Sequence, residues 1–269
     1  MNLTTSYAGG GFFCNCSLRL ENLIKFYNAY KQLPIVYDTK GLYTVYKKNT
    51  EDITFNYFKH YNDNNINIKN IDYINYIADY QFKNFTTLNF ELLNPFIRKY
   101  FTPNDNILKI QSEIEHKYSI DYDNICVLFY RGNDKITEIA LPPFEDYIIQ
   151  AKEILKKDPN IKFLIQSDET NFLDTMKSEF PNNIIFYDEI RHMSSQYSTV
   201  DKIYKELNYE YSLKYLAITL IMSKCKYIIC NSGNCSIWII LFRNNTNNII
   251  QLFNCSIMKN NIYKAYIRS

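Results

Sequence analysis

Ile125-Cys126-Val127-Leu128-Phe129-Tyr130-Arg131-Gly132-Asn133-Asp134-Lys135 is the stretch that decides the fold. Six apolar or aromatic residues run without alternation, the pattern of a strand buried on both faces. Such strands occur in parallel sheets covered by helices on either side. The run then stops at once in a basic, glycine-containing cluster.

Working outward toward the C-terminus, Phe144 to Lys157 is amphipathic, with Ile148, Ala151, Ile154 and Leu155 on one side. Ile161 to Ile165 predicts a strand, Glu169 to Phe180 a helix, and Ile184 to Tyr187 another strand. Tyr209 to Ser223 is a long apolar helix, Tyr227 to Cys230 a strand, Ser236 to Phe242 a helix and Ile249 to Leu252 a last strand. Strands alternating with helices of this length predict an α/β fold with a parallel sheet. Ligands of such sheets bind beyond the carboxyl ends of the strands.

Three polar clusters follow buried strands, so all three belong to that edge: Arg131 to Lys135, Gln166 to Glu169, and Asn231 to Ser236. Their chemistry suits a nucleoside diphosphate leaving group. Arg131 offers a bidentate fork and Lys135 a point charge. Ser232, Gly233, Asn234 and Ser236 stand at a helix start, where hydroxyl and backbone N–H groups meet the positive end of the helix. Asp168 or Glu169 can accept from a base or ribose. The structural alternatives are an Arg131–Asp134 salt bridge, a capping role for Asp168, and the same capping role for Ser232 to Ser236.

The first half is less regular. Leu3 to Ala8 predicts a short strand, Gly9-Gly10-Gly11 a loop, Cys16 to Lys31 a helix with Leu20, Leu23, Ile24, Tyr27 and Tyr30 at helical spacing, and Leu33 to Asp38 a second strand. That order is one βαβ unit. The triple glycine permits close backbone approach to a ligand, or serves only as a turn. Thr50 to Asn106 is Asn- and Tyr-rich with weak periodicity, Asn62 to Asn70 predicts a loop, and Asn106 to Tyr118 predicts a helix between the halves.

Composition excludes several classes. Thirty basic and 28 acidic side chains give a net charge of +2, without the Lys/Arg block of a nucleic-acid binder. The abundance of Asn, Ile, Lys and Tyr reflects AT-rich codons. Seven cysteines, with no CxxC pair, and three scattered histidines argue against zinc and for reduced thiols in a cytosolic compartment. Asp121 and Asp123 spell a superficial metal-binding Asp-x-Asp, but they precede a strand and belong to the opposite edge. His192, near Glu189 and Arg191, follows a strand and is read as a surface loop residue. Trp238 and Ile237 are core residues. The N-terminus lacks a basic region followed by an apolar one, and no run of about 18 apolar residues exists, so neither a signal peptide nor a membrane span is expected. The expectation is a soluble, cytoplasmic protein.

As an ordered set, the polar clusters resemble the core α-1,6-fucosyltransferases, their bacterial nodulation relatives and the wider protein O-fucosyltransferase superfamily. The first of these carry His-x-Arg-Arg-x-Asp-Lys at a strand end, where this chain has Phe129-Tyr130-Arg131-Gly132-Asn133-Asp134-Lys135. Thr137-Glu138, then Pro143, Glu145, Asp146 and Tyr147, fall in the family's order, after one gap. Ser167-Asp168-Glu169 is similar to its Thr-Asp-Asp, and Ser232-Gly233 to its Ser-Ser. The similarity covers roughly the last 145 residues. It implies that Arg131 engages donor phosphates, that Glu138 is the general base, and that Gly10 and Gly11 lie near the donor. Two positions depart: Phe129 replaces a His that helps hold guanine, and Gly132 replaces the second Arg.

The resulting expectation is a GT-B-like fold of two Rossmann-like halves facing a cleft. Residues 1–118 form the acceptor half and residues 119–269 the nucleotide-sugar half. Its implied activity is metal-independent, inverting transfer of a sugar from a nucleotide-sugar donor, GDP-linked by preference, to a glycan or protein hydroxyl. Arg131, Lys135 and Glu138 are its catalytic candidates; Gly10, Gly11, Asp134, Asp168, Glu169, Ser232, Gly233, Asn234 and Ser236 join Arg131 in donor binding. No cofactor is implied beyond the donor itself. Two other classes stay open: a catalytically inactive nucleotide- or glycan-binding module, and an interaction protein on the same scaffold.

Overall fold

The structure is a computed structural model that describes residues 1–6, 9–61, 68, 72–194, 197–255 and 263–268, with side chains described as far as residue 252. Two sheets are present among these residues. The smaller pairs β1 (Asn2–Thr4) with β2 (Val36–Asp38) in parallel, joined by the 19-residue helix α1 (Phe12–Tyr30). This is the expected βαβ unit. Its strands are shorter than the sequence suggests, α1 begins earlier at Phe12, and Ala8 lies outside the described residues. So does nearly all of the loop expected over Asn62 to Asn70.

The larger sheet has six strands in the order β5-β4-β3-β6-β7-β8. Strands β3 (Ile125–Tyr130), β4 (Lys162–Ser167), β5 (Asn183–Ile184), β6 (Tyr227–Asn231) and β7 (Ile249–Cys255) are parallel. Strand β8 (Tyr263–Arg268) adds an antiparallel edge that the sequence reading did not anticipate. All six residues of β3 are buried, as its unbroken apolar run requires. From β3 the chain winds outward through β4 to β5, then returns to β6 on the other side of β3. The reversal makes the β3–β6 junction a topological switch point, where α/β sheets open a crevice.

Helices cover the sheet: α4 (Phe144–Lys157), α5 (Thr170–Glu179), α7 (Asn208–Lys224) and α8 (Asn234–Arg243). Residues 216–223 of α7 are buried in an unbroken run, so its C-terminal half is a helix without a solvent face. It packs against α8 and against α3 (Asp105–Lys117), the helix expected between the halves. Asn104 caps α3 by accepting from the Ile107 N–H. The Asn- and Tyr-rich middle contains the unanticipated helix α2 (Phe90–Tyr100) and a series of short 3-10 turns. A four-residue helix, α6 (Val200–Ile203), precedes α7.

One aromatic spine ties the two sheets together. Trp238 of α8 is fully buried, with Phe13 of α1 stacked on it and Phe101 beside it. Its Nε1–H donates to Ser17 Oγ at 3.0 Å, and Ser17 donates to Asn234 Oδ1 at 2.7 Å. This chain of bonds fixes the starts of α1 and α8 relative to each other.

Candidate active site

Tyr130 ends β3, and the residue after it is held from the neighbouring strand. Asn231, at the end of β6, accepts the Arg131 N–H through Oδ1 at 3.0 Å and donates Nδ2–H to the Arg131 carbonyl at 2.9 Å. A side-chain amide thus continues the ladder by one residue. Tyr147 of α4 adds a hydrogen bond from its hydroxyl to the Phe129 carbonyl at 2.8 Å.

Asp168, after β4, organises the turn from the other side. Its Oδ1 accepts the Gly132 N–H at 3.1 Å, and its backbone carbonyl accepts Asn133 Nδ2–H at 2.6 Å. Its Oδ2 lies 3.3 Å from Arg131 Nε, close enough for an ion pair. The orientation of the two atoms makes no hydrogen bond, so each keeps an unused directed interaction. Asp134 Oδ1 lies 3.4 Å from Arg131 Nη2. Burial alone would weaken the charge on Arg131; the Asp168 carboxylate overrides it and holds the guanidinium well above its ordinary range. Burial pushes the Asp134 carboxyl up, against the pull of Arg131 and Lys135.

Gly132 permits this packing. A Cβ there would stand 1.9 Å from Glu169 Oε2 and 2.7 Å from Tyr130 Cε1. With Glu169 where it stands, a side chain at position 132 would have to displace its carboxylate. Lys135 follows in a 3-10 turn (Asn133–Thr137), and its Nζ pairs with Glu138 Oε2 at 2.5 Å.

A cavity of about 620 Å³ opens at this edge. Gly10, Gly11, Arg131, Asp134, Lys135, Glu138, Asp168 and Asn234 all line it. Gly10 has φ +120°, and the Gly10 and Gly11 carbonyls both accept from Asn15 Nδ2 at 3.0 Å. This folds the loop so that the start of α1 faces the cavity. Helices α1 and α8 both begin on a glycine, Gly11 and Gly233, without a side-chain cap. The glycines take none of their first N–H groups, of which the Phe12 N–H meets the Tyr46 hydroxyl.

Other expected residues stand behind this wall. Glu169 turns back, its Oε2 3.4 Å from the Asn133 N–H. Ser232 accepts from Gln251 Nε2 at 2.8 Å, and Ser236 donates to the Asn231 carbonyl. Gly233, at φ +156°, shapes the entry to α8. His192 bonds Thr170 and is not part of the lining. Asp121 and Asp123 sit at the amino end of β3, away from the cavity, where Asp121 caps a 3-10 turn.

The structure adds residues that sequence reasoning missed. Asp201 accepts from Tyr46 at 2.7 Å and pairs with Arg191 at 2.6 Å, and all three line the cavity. Cys14 and Cys235 line it as well, and burial raises both thiols. Gln166 and Phe129 form part of its wall. These two were already marked in the sequence, Gln166 in the polar cluster after its strand and Phe129 in the strand-end motif; Asp201, Cys14 and Cys235 carried no site signal.

The chain matches no protein-family model and no curated protein sequence. Solved structures do resemble it. Fucosyltransferase NodZ from Bradyrhizobium aligns with a TM-score of 0.57 at 12% identity, over 100% of this chain and 98% of that one. NodZ α-1,6-fucosyltransferase co-crystallised with GDP gives 0.53 at 10% identity, over 93% and 94%. NodZ soaked with GDP-fucose gives 0.41 at 12% identity, with 68% of this chain spanning 54% of that one. Among the described residues no helix is long and apolar enough to cross a membrane. The parallel sheet with its switch point, and the likeness along the whole length of both chains, give this chain the fold of fucosyltransferase NodZ.

Proposed function

We propose that the chain is an inverting glycosyltransferase that needs no metal. It would move a sugar, fucose from a GDP-linked donor being the first to test, to a glycan or protein hydroxyl. The observation that carries this reading is the convergence of Arg131, Lys135 and the uncapped starts of α1 and α8 on one cavity. Two cations and two sets of helix N–H groups suit a departing diphosphate. The NodZ structure co-crystallised with GDP supports the choice of base. Residues 119–269 would supply the donor half, and residues 1–118 the acceptor half.

Glu138 is the proposed base. In the free chain its carboxylate is held by Lys135. A donor diphosphate would draw Lys135 toward itself and release Glu138 to take the proton of the attacking hydroxyl. The hydroxyl oxygen would then displace the nucleoside diphosphate from the opposite face of the anomeric carbon, inverting it. Arg131, oriented by Asp168, would neutralise the leaving phosphates.

The same ion pair favours a second reading. If Lys135 and Glu138 stay paired with donor bound, the chain is a nucleotide-binding module without catalysis. Thermal melts with GDP, UDP, ADP, CDP and dTDP test the donor site, because a ligand of the native state raises the melting temperature. A selective GDP shift that Arg131→Ala abolishes supports the proposal. A shift without sugar transfer or donor hydrolysis supports the module, and no shift with any diphosphate removes both.

A further inference from the structure

Gln166 is the next-to-last residue of β4, 4% exposed, and its Oε1 has no hydrogen-bond partner. Buried polar atoms are paired in the great majority of cases, and an unpaired one penalises the fold. Here the unpaired oxygen belongs to a residue of the cavity wall.

Its neighbour makes the chemistry specific. The parallel register sets Gln166 beside Phe129, and both line the cavity. Residues in register project to one face of the sheet, so a flat apolar ring and a carboxamide stand side by side. Arg131 and Asp168 follow two residues later, just beyond the ends of the two strands and about 6.6 Å further along. Phosphate-directed charge therefore lies one layer beyond an unpaired hydrogen-bond acceptor. The separation suits a ribose between a diphosphate and a base.

We propose that Gln166 is the base-reading residue of the donor site. Its Oε1 accepts an N–H from the edge of the nucleobase. The assignment rests on the donor-site reading above, and it names the residue that selects among nucleotides.

The test uses the full chain, and Gln166→Leu and Gln166→Met, which keep the bulk of the side chain and remove its amide. Removing an unpaired buried oxygen should leave the ligand-free melting temperature equal or higher, so both variants are expected to fold. Calorimetric affinities are measured for the five nucleoside diphosphates and for inorganic pyrophosphate. The expected result is a preferred diphosphate in the wild type, a loss of about tenfold for that ligand in both variants, and unchanged pyrophosphate affinity. An unaltered preference in the variants overturns the role of Gln166 and leaves the donor site standing. Equal wild-type affinity for all five diphosphates does the same. No diphosphate binding in the wild type overturns the donor site and this assignment together.

Discussion

Asn231 holds the backbone of Arg131 by both its N–H and its carbonyl, at 3.0 and 2.9 Å. The arginine proposed to meet the donor is thus set by a residue 100 positions away, on the strand across the switch point. The Asn231→Ala variant should lose about 1–3 kcal/mol of stability, because it leaves two buried backbone groups unpaired. Diphosphate affinity should fall about tenfold, as Arg131 loses its fixed origin. Denaturant melts and calorimetry on one preparation check both effects. Stability loss without an affinity change would make the latch a purely structural device.

Gly132→Ala tests the packing beneath Arg131. The added Cβ would overlap Glu169 and press on Tyr130, for a cost of about 1–3 kcal/mol. Glu169→Ala introduced alongside should restore part of that loss, since it removes the 1.9 Å contact and leaves the 2.7 Å contact with Tyr130. A double-mutant cycle measures the coupling. Additive effects would show that the turn adjusts in some other way.

Ser17→Ala interrupts the bonds from Trp238 to Asn234. It leaves the buried indole N–H of Trp238 without its acceptor, and about 1–3 kcal/mol should be lost. The Trp238 fluorescence maximum should move as its hydrogen bond is broken. This is the sole tryptophan, so the signal is unambiguous.

Glu169 gives a pH-dependent outcome. Burial raises its carboxyl above the ordinary range, and the adjacent Asp168 adds to the shift. The folded state therefore binds this proton more tightly than the unfolded state does. Its contribution to stability is present below the unfolded pKa and is lost as pH rises through the folded value. Glu169→Gln does not titrate, so it should melt about 2 °C above the wild type at pH 7–8. The difference should close as the pH falls toward 4. Melting curves across that range decide it, and a gap that widens on acidification would refute the assigned sign.

The strands of the large sheet were legible because burial on both faces writes an unbroken apolar run, and β3 is the clearest example. Helix α4 coincides with the expected Phe144 to Lys157, since its apolar residues recur at one period along its whole length. The expected strand Ile184 to Tyr187 stops at Ile184. Ile185 and Phe186 are buried and Tyr187 is exposed in a turn, in which the Glu189 N–H bonds the Phe186 carbonyl. The stretches 50–61 and 72–89 were opaque because short 3-10 turns carry no hydrophobic period, and β8 pairs too far along the chain to announce itself.

At the site, residues just beyond strand ends could be named from topology alone, Arg131 and Asp168 among them. What each one touches could not. Sequence reading offered Asp134 as the partner of Arg131; the structure adds Asp168 at a slightly shorter distance. Asn231 acts through a neighbouring strand, and an amide side chain has no spacing rule that reveals such a role.

The carboxylates around the cavity have a consequence for how a ligand arrives. Five basic and five acidic side chains line it, so its mouth carries almost no net field. Long-range attraction of an anion should be weak, and association rates should change little with ionic strength. Recognition is then deferred to contact. A ligand must offer Lys135 and Arg131 better partners than the carboxylates they already hold, a demand that a multivalent diphosphate meets and a simple monovalent anion does not.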